Sequence, residues 1–128
     1  MLSFEKRLKY VKEIEEAINT DLGSIANEDP YGVVHKLMIK KCNAYIRAIA
    51  KEHNWQVITK SHPFCEYSCF IKKDEKFVYV HLSDYRWWNW REVLYRVAKH
   101  SQDYTGERNR YCDIMNLEVS LMELFEEE

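Results

Sequence analysis

The spacing of apolar and polar residues divides the first half of the chain into two helical segments. After Ser3, a residue suited to an N-cap, apolar side chains recur at helical spacing until Leu22, and the interval from Asn19 to Asp29 breaks this pattern. Asp29-Pro30 is typical of a second helix start, with Asp as the cap and Pro in the first turn. The second apolar stripe runs to about His53 and comprises Val34, Met38, Cys42, Tyr45 and Ile49.

The centre of the chain changes to residues that favour strands. Trp55 to Phe64 is rich in β-type residues and is followed by two runs, Tyr67 to Lys72 and Phe77 to Leu82, on either side of the turn Lys73 to Lys76. Side chains of successive residues point to opposite faces of a strand. We therefore predict a three-stranded antiparallel meander.

The last third of the chain predicts two more helices. Asn89 can cap a third helix with Glu92 at the capping-box position, and a polar loop from His100 to Cys112 follows. The buried face of that third helix would comprise Trp90, Val93, Leu94, Val97 and Ala98, and a terminal helix is marked by Ile114, Leu117, Leu121 and Leu124. The prediction is one α+β domain over residues 1–128, in the order α-α-β-β-β-α-α.

The composition favours a cytoplasmic protein. The first residues contain no apolar signal-peptide core, and no run of about 18 apolar residues occurs anywhere in the chain. The four cysteines are then expected to stay reduced. We expect no membrane contact and no cofactor.

Charge is distributed unevenly along the chain. Residues 113–128 contain six acids and no Lys or Arg, and residues 1–29 contain seven acids against four bases. The central residues 30–112 carry fifteen bases against eight acids, although the whole chain has a net charge of only −2. A basic centre between acidic ends suggests a polyanionic or acidic partner for the centre.

One face of the predicted second helix concentrates positive charge. Lys36, Lys40, Arg47 and Lys51 fall within a sector of about 80°, along roughly 22 Å of helix. A row of cations of this length can contact nucleic-acid phosphates without reading bases. The alternative is an ordinary solvated helix face, although no acid lies among these positions to form compensating pairs.

A tryptophan cluster follows the last predicted strand. The segment Tyr85 to Arg91 places three tryptophans within four residues. We expect Trp90 and one of Trp87 and Trp88 to be buried, and the other to lie exposed beside Arg86 and Arg91. Exposed Trp with Arg is typical of interface hot spots and of base stacking. The alternative is that all three cover the sheet as core. We predict that Arg86, Trp88 and Arg91 contact the nucleic acid or partner.

Two other clusters carry catalytic or metal-binding residue types. In the polar loop, His100 and Asp103 could form an acid–base pair, and Arg108 with Arg110 could hold a phosphate. A loop ordered by its own hydrogen bonds is the alternative.

His62, Cys65 and Cys69, with His81 or Cys112, contain zinc-ligand types at a spacing that suits tetrahedral zinc poorly. We therefore expect buried thiols and no metal site, and we name no catalytic residue.

Two segments resemble known proteins. The predicted order helix, three strands, helix over residues 29–100, with His62-Pro63 in the first hairpin loop, resembles the topology of the double-stranded RNA-binding domain. The Gly-rich strand end and the Lys-Lys pair of that family are absent, so the resemblance implies architecture only. Residues 78–106, including His81-Leu82-Ser83-Asp84 and Asp103-Tyr104-Thr105-Gly106, resemble small uncharacterised proteins of phages and mobile elements.

These observations leave three hypotheses about function. The first is a non-enzymatic phage or mobile-element protein that inhibits a host protein or nucleoprotein complex, as anti-CRISPR proteins do. Its acidic surface would comprise Glu118, Glu123, Glu126, Glu127 and Glu128. The second is a nucleic-acid-binding protein that uses the basic helix and the Trp/Arg cluster, and the third is a nuclease-like enzyme that uses the polar loop. A homodimer, in which the basic patch of one copy contacts the acidic helix of the other, is a further alternative.

Overall fold

The computed structural model describes residues 1–22, 33–61, 65–106 and 108–127. Within these ranges the chain forms three α-helices, α1 (Phe4–Leu22), α2 (Val33–His53) and α3 (Leu117–Glu126). Five strands, β1 (Gln56–Ser61), β2 (Tyr67–Lys73), β3 (Lys76–Leu82), β4 (Glu92–Ala98) and β5 (Arg110–Asp113), lie between α2 and α3. A short 3-10 turn, Ile114–Asn116, leads from β5 into α3.

The first two helices pair through their apolar stripes. The Ser3 hydroxyl accepts the amide N–H of Lys6 at 3.2 Å, so the predicted cap of α1 is confirmed. Residues that bury the facing sides of α1 and α2 include Val11, Ile14, Ile18, Met38, Cys42, Tyr45 and Ile49. Phe4, the first residue of the predicted stripe, is exposed instead. The predicted start of α2 at Asp29-Pro30 lies outside the described residues.

All five strands form one antiparallel meander in the order β1-β2-β3-β4-β5. The predicted three-stranded sheet is therefore two strands too small, although the first three strands lie where the sequence pattern predicted them. The end of the predicted polar loop contains β5, which pairs Val93 with Cys112 and Leu94 with Tyr111. The predicted terminal helix is confirmed as α3.

The predicted third helix is wrong, because residues 92–98 form β4. The Asn89 side chain accepts the amide N–H of Arg91 at 3.1 Å and the Asn89 carbonyl accepts that of Glu92, so Asn89 closes a tight turn and caps no helix. Beyond this turn β4 pairs with β3 from Leu82–Val93 to Phe77–Ala98. The topology of a double-stranded RNA-binding domain is excluded, because a helix should follow the third strand in that family.

The helices cover one face of the sheet. α2 packs on β1 and β2, α3 packs on β3, β4 and β5, and α1 packs on α2 and the 3-10 turn. The main core joins these helices to alternate strand residues, including Cys69, Ile71, Val78, Val80 and Val93. The opposite face carries a second apolar cluster of Phe70, Tyr79 and Ala98. Tyr104 covers this cluster, with its ring 5.1 Å from Phe70 and 5.9 Å from Tyr79.

A buried carboxylate joins the chain start to both later helices. Glu118 in α3 is fully buried, and its two oxygens accept the amide N–H of Leu2 at 2.9 and 3.0 Å. Its Oε2 also lies 2.7 Å from Nε2 of His53, the last residue of α2. Glu118 therefore belongs to the interior, and its predicted place in an acidic partner surface is wrong.

Replacing Glu118 with Ala should lower the free energy of unfolding by about 2–4 kcal/mol, because the Leu2 amide and the His53 ring lose their buried partner. Urea unfolding followed by circular dichroism measures this change. The matched control is Glu123→Ala, an exposed glutamate of the same helix, which should change stability by less than about 0.5 kcal/mol. Equal effects of the two substitutions would contradict a structural role for Glu118.

Candidate functional site

The turn between β3 and β4 is organised by one aspartate. Asp84 is buried, and its carboxylate accepts the backbone N–H of Arg86 at 3.0 Å and two guanidinium N–H groups of Arg86 at 3.0 and 2.7 Å. Its carbonyl oxygen accepts the amide N–H groups of Trp87 at 3.1 Å and Trp88 at 3.0 Å. Of these five hydrogen bonds to Asp84, three hold the backbone of the turn and two hold the Arg86 side chain.

This Trp turn, defined as Asp84–Arg91, presents two indoles to solvent. Trp87 is 74% exposed and Trp88 is 69% exposed, whereas Trp90 is half-buried and packs against the main core. The expectation that only one of Trp87 and Trp88 is exposed is therefore wrong. Both adjacent amides are tied to Asp84, and the two side chains stand outside the core. Sequence analysis selected Trp88 and missed Trp87.

The arginines that flank these indoles are neutralised within the chain. Arg86 pairs with Asp84, and Arg91 forms two bonds of 3.1 Å to the carboxylate of Asp113. Each guanidinium also lies over a ring, Arg86 6.0 Å from the centroid of Trp87 and Arg91 5.6 Å from that of Trp90. The Trp turn is thus an apolar surface with a charge-balanced border.

The predicted basic ridge on α2 is present in part. Lys40, Arg47 and Lys51 are exposed, and none of them forms an ion pair with a described residue. The side chain of Lys36 lies outside the described residues. Asn43, between the basic positions, turns inward and accepts a 2.9 Å hydrogen bond from the Tyr67 hydroxyl. The three cations lie on one face along roughly 17 Å of helix, with no described carboxylate paired to them.

The predicted acidic surface is scattered. Glu123 and Glu126 are exposed on α3, whereas Glu118 is buried and Glu128 lies outside the described residues. Glu127 binds Arg110 through two hydrogen bonds of 2.6 and 2.7 Å. This contact lowers the pKa of Glu127, first through the Arg110 hydrogen bond and then through the nearby charges of Arg110 and Lys76, while partial desolvation opposes the shift.

The polar loop after β4 is fastened to the open face of the sheet. His100 Nδ1 accepts the Gln102 amide at 3.2 Å, and Asp103 Oδ2 accepts the Lys99 amide at 3.0 Å. The pKa of Asp103 is lowered, mainly by that hydrogen bond and also by the charges of Arg96 and Lys99, while partial desolvation opposes the shift. His100 and Asp103 thus order the backbone of their own loop. The two predicted phosphate-binding residues differ, since Arg110 is paired and Arg108 is exposed in a left-handed backbone conformation.

A buried arginine that sequence analysis missed anchors this loop. Arg96 is only 2% exposed, and its guanidinium lies 4.7 Å from the Tyr79 ring centroid on one side. It donates to the Asp103 carbonyl and lies 3.6 Å from the Asp103 carboxylate. The backbone of Gly106 lies against the guanidinium, where a Cβ would overlap Nη1 and Cζ of Arg96.

The cysteine–histidine cluster supplies no metal site among the described residues, which contain no group of three potential ligands. None of the four cysteines forms a disulfide, and burial raises the pKa of the Cys42 and Cys69 thiols to about 12. His62 lies outside the described residues. His81 instead lies 3.8 Å from Glu66 and 3.3 Å from the Tyr79 hydroxyl, and burial lowers its pKa against the charge of Glu66.

None of the protein-family models, curated proteins or solved structures compared with this chain matches it. Among the described helices none has the length and apolar content needed to cross a membrane. The Trp turn, the basic ridge and the loop therefore have to be interpreted from their own geometry.

Replacing Gly106 with Ala should destabilise the protein by about 1–3 kcal/mol, because the added methyl group displaces the buried Arg96 guanidinium. Urea unfolding measures the loss, and faster amide hydrogen exchange over residues 99–106 would locate it. Thr105→Ala is the control, since Thr105 is the exposed neighbour of Gly106. Indistinguishable unfolding curves for the two variants would show that Gly106 has no such role.

Proposed function

We propose that this protein is a non-enzymatic binding module that docks onto a partner protein through its Trp turn. The observation that carries the proposal is the pair of adjacent indoles at Trp87 and Trp88, both more than two-thirds exposed on a turn held by Asp84. Inhibition of a host macromolecule by occupying its surface, the function expected from the sequence, is one form that such docking takes.

The two indoles can contribute strongly to binding because they are large and because their backbone is already ordered. Trp is among the residues most enriched at hot spots of protein interfaces, where burial of a single one contributes about 2 kcal/mol or more. Ordering a mobile loop on binding costs conformational entropy, and a turn whose backbone is already fixed by three hydrogen bonds to Asp84 loses less. An exposed pair of indoles therefore has a large free energy to gain from a complementary apolar surface.

The charges around the turn favour a protein over a nucleic acid at this site. Arg86 and Arg91 already pair with Asp84 and Asp113, so their cations are compensated before any phosphate approaches. Nucleic-acid backbones are bound mainly by cations that exchange with counterions. An interface centred on Trp87 and Trp88 would instead bury apolar surface within a polar rim.

The double substitution Trp87→Ala with Trp88→Ala should weaken binding to the partner by at least about 30-fold and leave folding intact, because both side chains lie outside the core. A protein captured by the wild type from a lysate is purified, whether or not the variant also captures it, and its dissociation constant for both forms is measured by calorimetry. Acrylamide quenching of the wild-type tryptophans should also fall in the complex, since docking shields the two exposed indoles.

Phe4→Ala and Val97→Ala are the controls, since both are exposed apolar residues outside the turn, Phe4 in α1 and Val97 at the far end of β4, and binding should survive in each. The proposal fails when the double variant binds the purified partner as tightly as wild type. It also fails when both controls weaken binding equally, because the loss then reflects general surface hydrophobicity.

A second candidate function, nucleic-acid binding along α2, is favoured by a separate observation. Lys40, Arg47 and Lys51 are exposed on one face of the helix and are in no ion pair with a described residue. Uncompensated cations in a row can follow a phosphate backbone without sequence preference. This surface differs from the Trp turn, so the two functions can be tested separately.

Changing Lys40, Arg47 and Lys51 to Glu should abolish any binding to labelled DNA or RNA at low salt, and wild-type binding should weaken steeply as salt is raised. Fluorescence anisotropy with single- and double-stranded oligonucleotides provides the measurement. The matched control is the triple change of Lys6, Lys9 and Lys12 on α1 to Glu, which alters net charge equally on another helix. Absence of wild-type binding at any salt would remove this candidate.

A further inference from the structure

A groove at the far end of β4 from the Trp turn combines four cations with an apolar floor. It has a volume of about 570 Å³ and lies between the C-terminal end of α3 and the strand ends of the sheet. Its charged walls include Lys76, Lys99, Arg108 and Arg110. The apolar floor is formed by Val97 and Leu124. Val97 lies on the same strand face as Val93 and Tyr95, which belong to or pack against the main core, but it is half-exposed.

Glu127 and the C-terminal end of α3 already occupy part of this groove. The Glu127 carboxylate accepts two hydrogen bonds from Arg110, at 2.6 and 2.7 Å. The Lys76 ammonium donates to the backbone carbonyls of Leu124 and Glu127, each at 2.6 Å. The groove thus binds a glutamate side chain and main-chain carbonyls of one acidic segment, which is the chemistry of peptide recognition.

Among the described residues, Glu127 leaves part of the positive charge of the groove uncompensated. Of the two described carboxylates that line the groove, Asp103 is engaged by the Lys99 amide and lies beside Arg96, and Glu127 is engaged by Arg110. Neither the Lys99 ammonium nor the Arg108 guanidinium forms an ion pair with a described residue. An acidic segment with several carboxylates can reach these two cations, which Glu127 alone does not neutralise.

The contact made by Glu127 is easily exchanged. The side chains of Arg110 and Glu127 are 43% and 45% exposed, and exposed ion pairs of this kind contribute little to stability. Glu127 also lies just beyond the last residue of α3, where a negative charge is opposed by the helix dipole. A competing peptide therefore displaces Glu127 at small cost.

We propose that this groove is a second binding site, specific for an acidic peptide segment of a partner protein, with Glu127 as its intramolecular competitor. The site lies about 20 Å along β4 from the Trp turn, so it does not depend on the proposed docking function. Lys76 and Arg110 bind the backbone and first carboxylate of the segment, and Lys99 and Arg108 bind further carboxylates.

The test is a titration of fluorescein-labelled hexaglutamate into the full chain at low salt, followed by fluorescence anisotropy, with labelled hexaglutamine as the uncharged comparison. Glu127→Ala should tighten hexaglutamate binding by about two- to fivefold, because it removes the competitor. Glu126→Ala is the control, since it removes an equal charge from an exposed neighbour that forms no ion pair with a described residue. It should change the affinity much less.

The combined change of Lys99 and Arg108 to Gln should weaken hexaglutamate binding by about fivefold. Amide chemical-shift changes during the titration should centre on residues 97–110 and spare residues 84–91. The proposal is overturned when Glu127→Ala and Glu126→Ala act equally, since only net charge then matters, or when the Lys99/Arg108 variant binds as wild type. It is also overturned when a single-stranded oligonucleotide of equal charge binds more tightly with the same dependence on Lys99 and Arg108.

Discussion

The buried carboxylate of Glu118 fixes how the helices sit on the sheet. A carboxylate removed from water is tolerated only when donors satisfy its oxygens, and here these are the Leu2 amide and the His53 ring. The chain start, the end of α2 and the first turn of α3 are therefore held at one point. Tyr45 reinforces the same junction by donating to the Ile114 carbonyl at 2.8 Å. Because this junction fixes the position of α3, it also fixes the position of the groove at the other end of that helix.

The local spacing of apolar residues was sufficient to predict most of the helices and strands. It failed where pairing between distant segments determines the secondary structure. Both early helices, the first three strands and α3 follow from the spacing of their apolar residues. Residues 92–98 fit two periods, since Val93, Leu94, Val97 and Ala98 suit a helix while Val93, Tyr95 and Val97 alternate as in a strand. Residues 92–98 form a strand because the edge of β3 would otherwise be unpaired, and the backbone N–H and C=O groups of that edge need partners.

The candidate sites show the same division between local and non-local information. The exposure of Lys40, Arg47 and Lys51 followed from helical periodicity, and the importance of the tryptophan cluster followed from its composition. The exposure of both Trp87 and Trp88 was not predicted, although the hydrogen bonds that hold their turn are local, since Asp84 binds the backbone amides of residues 86–88. Burial of Glu118 had a usable signal, since it shares a helix face with Leu121 and Phe125. Its partner His53 lies 65 residues away and could not be deduced from the sequence.

Ion pairs in the folded protein neutralise part of the positive charge in the centre of the sequence. The charges that remain distinguish three surfaces, which are the Trp turn, the basic ridge on α2 and the groove beside α3. Arg86, Arg91 and Arg110 are neutralised by carboxylates, so the Trp turn is apolar with a balanced border. On α2 and in the groove beside α3, cations remain that form no ion pair with a described residue. Interactions of exposed charges are screened by salt, whereas burial of indoles is not weakened in this way. A complex that persists at high ionic strength would therefore depend on the Trp turn, and one that dissociates would depend on the ridge or the groove.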